Sequence, residues 1–251
     1  MSVLDSLAGT ATAGTLYGIG VGPGDARYLT LRAAGLVQAV DVVAYFAKIG
    51  SPGNARRIVA PLLVAGRAEH RFEYPITDEV PADSPEYQQK IGAFYRQTAE
   101  SLAALLRQGK SVGLLAEGDP FFYGSFMHMW RRLSADFPVE VVPGVTGMSG
   151  CWTRANLPIT WGNDALAVLP GTLGESELVE RLRLADAAVI MKVGRNLAKV
   201  RRAVEVAGLL SRAVYVERGT MADERIVPLA ECGANGAYFA MVLIPGEGRR
   251  L

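Results

Sequence analysis

The sequence predicts an α/β protein made of two lobes with mostly parallel sheets. Runs of Val, Ile, Leu and Ala recur along the chain without regular alternation, as is typical of strands covered on both faces. Helical patterns fill the intervals, and strands that alternate with helices form parallel sheets. The predicted strands are Leu16–Val21, Val42–Ala44, Ser111–Ala116, Val139–Val142, Ala165–Leu169, Ala187–Met191, Ala213–Glu217 and Tyr238–Ile244.

Two helices are predicted most clearly. The first has Ser84 as its N-cap and Pro85 in its first turn, and it ends near Gly109. The second runs from about Asn196 to Gly208 and carries apolar residues at every third or fourth position. Both are long enough to cover one face of a sheet.

The turn at Pro143 and Gly144 is the predicted boundary between the two lobes, because a strand ends there and a glycine-rich segment begins. Residues 1–13 are interpreted as a flexible leader, residues 14–143 as the N-terminal lobe and residues 144–251 as the C-terminal lobe. Two lobes that meet near this turn would enclose a ligand cleft.

Composition excludes several classes of function. Lys and Arg total 26 against 25 Asp and Glu, so no overall positive field favours nucleic acid. Cys151 and Cys232 stand far apart, and His70 and His128 are the only histidines, so no metal site is predicted. The N-terminus lacks the basic residues of a signal peptide and no apolar run could span a bilayer. We therefore expect a cytoplasmic protein without membrane contact.

A glycine-rich loop follows the first predicted strand, with the sequence Gly18-Ile-Gly-Val-Gly-Pro-Gly-Asp25. Neither Gly18 nor Gly20 begins the GxGxxG pattern of dinucleotide-binding folds, because the sixth position is Pro23 or Asp25. Pro23 has no N–H to donate and Asp25 is negatively charged, so the loop is poorly suited to a phosphate. We expect a neutral or cationic ligand, and an NAD-linked dehydrogenase is disfavoured.

Two further loops follow predicted strands. The segment Glu117-Gly-Asp-Pro-Phe-Phe-Tyr-Gly124 combines two carboxylates with three aromatic residues, which suits a positively charged and partly apolar ligand. The segment Pro143-Gly-Val-Thr-Gly-Met-Ser-Gly150 offers small residues and hydroxyl groups at a strand-to-helix turn. Ligands of α/β folds bind at the carboxyl ends of strands, so the three loops together predict a binding site.

The order of these motifs resembles a known family. GxGPGD followed by Leu-Thr, then GDPxxYG, then PGVT with a helix and Leu-Pro, is similar to the tetrapyrrole methylases of cobalamin and sirohaem synthesis, from Gly14 to the C-terminus. The resemblance implies two α/β lobes with S-adenosylmethionine (SAM) in the cleft between them, S-adenosylhomocysteine as product, and a homodimer. The strings GDPFFYGSFMHMWRRL, PGVTGMSGCW, VLPGTL and MKVGRN further imply methylation of the reduced tetrapyrrole precorrin-2 at carbon-20.

The resemblance also implies site residues. The expected cofactor contacts are Gly22, Pro23, Gly118, Asp119, Phe122, Thr146, Gly147, Met191 and Gly219. Asp41 matches a position proposed as proton acceptor in the uroporphyrinogen-III members, and Glu117 is the other candidate base. Precorrin-2 carries many carboxylates, so Arg154, Lys192 and Arg195 are candidates to bind it by charge-assisted hydrogen bonds.

Several of these residues also have a structural interpretation. Asp119 stands before a proline and could serve only as a turn residue, and Asp41 beside an apolar strand is more often structural than catalytic. Met191 could be a core methionine. His128 stands where the resemblance leads us to expect Tyr and is interpreted as a packed residue. The basic residues 192–202 could form a solvated helix face.

Three other functions stay open at this point. The substrate could be loaded with cobalt, or the methyl group could go to another ring carbon. A non-catalytic SAM sensor is the alternative from a different class. Such a sensor would bind SAM yet release no S-adenosylhomocysteine when given tetrapyrroles.

Overall fold

The computed structural model describes residues 9–76, 84–233 and 235–248. It contains two compact units that divide between Thr146 and Gly147, just after the predicted boundary at Pro143 and Gly144. Residues 1–8 of the predicted leader, which comprises residues 1–13, lie outside the described residues. Among the described residues, no helix is both long and apolar enough to cross a membrane.

The first unit is built on a five-stranded parallel sheet. Its strands are β1 (Leu16–Gly20), β2 (Val42–Lys48), β3 (Ala68–Tyr74), β4 (Val112–Ala116) and β5 (Val139–Val142). They lie in the order β3-β2-β4-β1-β5, and every neighbouring pair is parallel. β1 and β4 are buried along their whole length, which explains their unbroken apolar sequences.

Four α-helices cover the two faces of this sheet. They are α1 (Leu31–Ala39), α2 (Asn54–Val59), α3 (Pro85–Arg107) and α4 (Phe126–Leu133), with short 3-10 helices at Ala26–Tyr28 and Ala60–Leu62. α1 and α2 bury residues such as Leu36 in one apolar cluster, and α3 and α4 bury Leu102 and Phe126 in the other. The predicted N-cap of α3 is confirmed, because the Ser84 hydroxyl accepts the amide of Tyr87 at 3.2 Å.

The second unit contains a five-stranded mixed sheet. Its strands are β6 (Leu166–Pro170), β7 (Ala187–Met191), β8 (Val214–Glu217), β9 (Arg225–Pro228) and β10 (Ala240–Ile244). They lie in the order β6-β7-β10-β8-β9. β6 and β7 are parallel, whereas the other three neighbouring pairs are antiparallel.

Helices also cover both faces of the second sheet. They are α5 (Gly147–Arg154), α6 (Glu175–Leu184) and α7 (Leu197–Val206), with 3-10 helices at Gly194–Asn196, Leu210–Arg212 and Leu229–Glu231. α6 and α7 pack around Leu178 and Val200 on one face. α5 packs on the other face, where Cys151 joins Val189, Val216 and Leu243.

The α/β class with two units is confirmed, and the second sheet departs from the mostly parallel arrangement. Parallel neighbours need a long crossover, usually a helix. After α7 the described residues hold no further α-helix, and β9 and β10 both run antiparallel to β8, which lies between them. The sequence analysis missed β9, and with it this change of connectivity.

The two missed strands, β3 and β9, are both edge strands. β3 reads AEHRFEY and buries only one residue fully, while β9 reads RIVP and ends in proline. Charged residues and proline are typical of edge strands, which have a neighbour on one side only. A search for strands covered on both faces therefore passes over them.

Candidate functional site

Three loops meet at the carboxyl edge of the first sheet. Loop 21–25 follows β1, loop 117–124 follows β4, and loop 143–146 follows β5; we call them together the loop cluster. β1 lies between β4 and β5, so the three loops are neighbours. β1 leads to α1 on one face, whereas β4 leads to α4 on the other. Open α/β sheets bind ligands at such a point, where the connections from two neighbouring strands lead to opposite faces of the sheet.

The glycines of these motifs allow the backbones to approach one another. A Cβ on Gly144 would lie 2.1 Å from the carbonyl oxygen of Gly118 and 2.9 Å from the Cα of Gly20. A Cβ on Gly20 would lie 2.6 Å from the amide nitrogen of Gly144. Gly18 leaves room for a different neighbour, since its Cβ would collide with the ring of Phe126 at 2.3 Å. Gly18, Gly20 and Gly144 therefore make room for neighbouring groups of the protein itself.

Three backbone amides of the loop cluster donate hydrogen bonds to neighbouring loops. Gly22 and Gly118 form two reciprocal backbone hydrogen bonds of 3.3 and 2.8 Å. The amide of Gly144 donates to the Asp119 carboxylate at 3.1 Å. A phosphate site needs such amides to point at the ligand. These three amides are therefore engaged within the protein and do not point at a phosphate.

Asp119 ties two loops together. One carboxylate oxygen accepts the amide of Phe121 at 2.9 Å and closes a turn within loop 117–124. The other accepts the amide of Gly144 in loop 143–146. Asp119 is therefore a turn residue that also joins two loops. A carboxylate can accept about four hydrogen bonds, so this role leaves capacity for a ligand.

Glu117 lies at the start of the second loop, directly after β4. Its Oε1 accepts the amide of Ala55 near the start of α2 at 3.3 Å. Desolvation by the surrounding protein raises the pKa of this carboxyl, while amide hydrogen bonds oppose the rise. More than a third of the residue is open to solvent, which moderates the shift. Sequence reasoning missed the Ala55 contact, because no pattern links these two segments.

The end of the first loop serves to cap helices. Asp25 is the N-cap of the 3-10 helix Ala26–Tyr28, accepts the Arg27 amide at 2.9 Å, and pairs with the Arg27 side chain at 2.6 Å. Thr30 caps α1 by accepting the amide of Ala33 at 3.1 Å. An α-helix does not start directly at the strand tip, so the first turn of α1 is not aimed at a ligand there. This arrangement explains why the chain departs from the dinucleotide-binding pattern.

Asp41 is placed away from the loop cluster, which overturns its role as a candidate base. It precedes β2 and binds Ser111, which precedes β4, so it lies at the amino edge of the sheet. Its Oδ2 accepts both the amide and the hydroxyl of Ser111 at 2.8 Å. The Ser111 amide is the largest cause of the lowered pKa of Asp41. A strand of five residues separates the two edges by about 16 Å.

Met191 and Gly219 lie at one edge of the second sheet. β7 ends at Met191, and β8 ends two residues before Gly219. Met191 is partly buried against the apolar cluster around Cys151, as the core interpretation holds. A Cβ on Gly219 would lie 2.8 Å from the Cys151 sulfur. Burial raises the pKa of this thiol to about 12, so Cys151 packs and does not react.

Arg154 is engaged by a partner in its own unit. It forms a bidentate ion pair with Glu224, with its Nε 2.9 Å from both carboxylate oxygens. Its charge is therefore already balanced, which removes the basis for assigning it to a substrate carboxylate. Gly147 begins α5, where a Cβ would lie 3.1 Å from the methyl group of Met241.

The basic segment 192–202 is not a uniformly solvated helix face. Lys199 donates to the carbonyl of Leu173 at 2.6 Å, and Arg202 pairs with Glu175 at 2.9 Å. Lys192 and Arg195 precede α7 and are exposed. Lys192 has a φ of 54°, which is uncommon for a residue with a side chain. These two cations keep their place as candidates for binding substrate.

His128 lies at the surface, with one face of its ring covered. The ring stacks on Tyr95 with 4.1 Å between centroids, although the residue is exposed, and partial desolvation lowers its pKa. The Tyr95 hydroxyl lies 3.0 Å from the Ser125 hydroxyl, which also meets the Tyr74 hydroxyl at 2.6 Å. Ser125 directly follows loop 117–124, so this group of hydroxyls anchors the loop. The sequence analysis missed Tyr74 because it missed β3.

Residues 15–232 match the family described as Tetrapyrrole (Corrin/Porphyrin) Methylases. The chain belongs to the tetrapyrrole methylase family. A Precorrin-2 C(20)-methyltransferase from Sinorhizobium is 51% identical over 234 residues, which cover 93% of this chain and 96% of that relative. A Cobalt-precorrin-2 C(20)-methyltransferase from Salmonella typhimurium is 29% identical, covering 84% and 86% of the two chains.

A solved tetrapyrrole methylase shares the fold. The uroporphyrin-III C-methyltransferase of Thermus thermophilus, in complex with S-adenosylhomocysteine, superposes with a TM-score of 0.65 at 24% identity. The match covers 94% of this chain and 99% of that one. The predicted family and fold are therefore confirmed.

The loop cluster of this tetrapyrrole methylase fits a positively charged cofactor. Its three loops contain Glu117 and Asp119 and no Lys or Arg. Carboxylates suit both the hydroxyls of a ribose and a sulfonium charge, and partly buried Phe122 offers apolar surface for a base. Within the described part of the chain, no cluster of His, Cys, Asp or Glu could hold a metal ion.

Proposed function

We propose that this protein transfers a methyl group from SAM to carbon-20 of precorrin-2, giving precorrin-3A in cobalamin biosynthesis. The observation that carries this proposal is a cluster of strand-end loops that contains carboxylates and in which the amides of Gly22, Gly118 and Gly144 bond to neighbouring loops. Such a cluster favours a sulfonium over a phosphate. The relative with 51% identity supports the choice of substrate and of ring carbon.

We propose the cofactor contacts that the family motifs imply. They are Gly22, Pro23, Gly118, Asp119, Phe122, Thr146, Gly147, Met191 and Gly219. When bound, SAM supplies a methyl group that its sulfonium already activates. The protein then has to bind both reactants, align the methyl group with the attacking carbon and exclude water. Lys192 and Arg195 would hold carboxylates of the macrocycle.

Glu117 is the side chain we assign to the proton that carbon-20 releases. A carboxylate with a raised pKa is a better base near neutral pH than an ordinary one. Glu117→Gln should lower kcat by about a hundredfold at saturating SAM, the lower range for a lost general base. In the wild-type protein the rate should fall as pH drops through the raised pKa of Glu117, and the variant should lack this dependence.

Asp41→Asn is the matched control for Glu117→Gln. It should leave kcat unchanged, because Asp41 lies at the opposite edge of the sheet. The lowered pKa of Asp41 stabilises the folded state above the usual value of 3.8, and this stabilisation is lost as pH falls through the folded value. Since Asp41 is exposed, the variant should lose about 1 kcal/mol at neutral pH. A large loss of kcat in Asp41→Asn would show that Asp41 does take part in the reaction.

The deciding experiment is incubation of the protein with SAM and enzymatically prepared precorrin-2, followed by location of the methyl group by mass spectrometry and NMR. We expect one methyl group at carbon-20 and one S-adenosylhomocysteine for each product. Parallel reactions with cobalt-loaded precorrin-2 test the activity for which the Salmonella typhimurium relative is named. SAM binding without release of S-adenosylhomocysteine would instead support a sensor.

The setting of the reaction follows from the resemblance to the family. We propose a homodimer and a cytoplasmic location. Sedimentation of the purified protein tests the dimer, since a single species of 26.8 kDa would contradict it.

A further inference from the structure

The segment 218–224, between β8 and β9, has a strained backbone. Arg218 and Thr220 adopt positive φ angles of 50° and 70°, which residues with a side chain rarely do. Such conformations persist only where surrounding contacts enforce them, and they concentrate at functional sites. Between the two lies Gly219.

An ion pair enforces this conformation. Glu224 accepts the amide of Thr220 at 2.9 Å, which closes the segment on itself. The same carboxylate receives the bidentate guanidinium of Arg154 from the last turn of α5. The Glu224 side chain is 17% exposed, and the pair with Arg154 lowers its pKa. The carboxylate is thus charged, largely covered and oriented by Arg154.

The segment meets α5 at a second point. Gly219 lies against Cys151, which is three residues before Arg154 and therefore on the same face of the helix. Any side chain at Gly219 would collide with the Cys151 sulfur. Cys151 packs below Gly219 while Arg154 holds the segment through Glu224, so the two contacts fix the position of the Gly219 backbone.

We propose that Arg154 and Glu224 are positioning residues that hold Gly219 in the conformation SAM requires. Arg154 acts through Glu224 and not on the carboxylates of the tetrapyrrole. This inference rests on the proposed function, because it takes Gly219 as a cofactor contact. It also accounts for the positive φ angle of Thr220, whose amide Glu224 accepts.

The test compares Arg154→Ala with Arg202→Ala. Arg202 also forms an Arg–Glu ion pair, with one oxygen of Glu175, between α6 and α7 on the other face of the sheet. Arg154→Ala should raise the Kd for SAM, measured by calorimetry, about tenfold, as expected for a lost charge-assisted contact. The KM for the tetrapyrrole and kcat should stay near wild-type values. Arg154→Lys keeps the positive charge but lacks the planar guanidinium that binds both oxygens of Glu224. Its Kd for SAM should therefore lie between those of the wild-type protein and Arg154→Ala.

Hydrogen exchange at the Thr220 amide gives a readout that needs no ligand. The amide should exchange faster in Arg154→Ala than in the wild-type protein, and Arg202→Ala should not change it. A raised tetrapyrrole KM with unchanged SAM affinity, or unchanged exchange at Thr220, would overturn the proposal. If the wild-type protein bound no SAM at all, the proposed function would fail, whereas the exchange result would still decide whether Arg154 orders the segment.

Discussion

Gly144→Ala is expected to destroy the loop cluster. The new Cβ would lie 2.1 Å from the carbonyl oxygen of Gly118, and both neighbours in the way, Gly118 and Gly20, present backbone atoms. A flexible side chain could turn aside, but these backbones belong to strand ends fixed by the sheet. Forced overpacking of this kind costs about 3 kcal/mol, which corresponds to a fall in Tm of roughly 6–12 °C.

We expect Gly144→Ala to affect the affinity for SAM more strongly than it affects the stability of the fold. Separation of the loops breaks the contacts of Gly22 with Gly118 and of Asp119 with Gly144, on which the shape of the cluster depends. We expect calorimetric SAM affinity to fall at least tenfold. Gly174→Ala is the control, because a Cβ there meets nothing within 4 Å and φ is −59°. Equal behaviour of the two variants would show that the close approach is not required.

Asp119→Ala should weaken SAM binding severely. The substitution removes the acceptor for the amides of Phe121 and Gly144 and also removes a negative charge from the cluster. Hydrogen bonds to a charged group contribute about 1.5–3 kcal/mol, so the loss of two loosens both loops. If Asp119 also contacts the cofactor, the direct contact is lost as well. We expect SAM affinity to fall by more than a hundredfold, measured by calorimetry.

Two further variants separate the causes. Asp119→Asn keeps one acceptor oxygen for Phe121 but places an NH₂ group toward the Gly144 amide, so it should retain part of the affinity. Asp164→Ala removes a carboxylate that likewise binds two amides, those of Trp161 and Gly248, at the amino side of β6. It should cost stability without changing SAM affinity. Near-wild-type affinity in Asp119→Ala would contradict the site.

The sequence was informative wherever a local rule fixes the outcome. β1 and β4 read as unbroken apolar runs because both faces are buried, and the N-cap of α3 followed from Ser84. The position of the three loops at strand ends also followed, because each motif comes directly after such a run. Of the four edge strands, β3 and β9 escaped prediction, since partial burial leaves them with charged residues or a proline.

The candidate site was predictable in part. Motif order implied Asp119 and Gly118, and the structure places both in the loop cluster. The same reasoning suggested Asp41, although this residue directly precedes a strand of a parallel sheet and so lies at the edge opposite the loops. Arg154 looked like a free cation, because its partner Glu224 lies 70 residues further along the chain.

By itself, the sequence determined the class of fold, the family and the kind of ligand, because these depend on residue types and on their order along the chain. Only the tertiary structure decided which residues share an edge of a sheet, which charges are already paired and which glycines make room for a neighbouring backbone. The physical reason is that strand order, register and ion pairing join segments distant in sequence. A local pattern carries no record of those contacts.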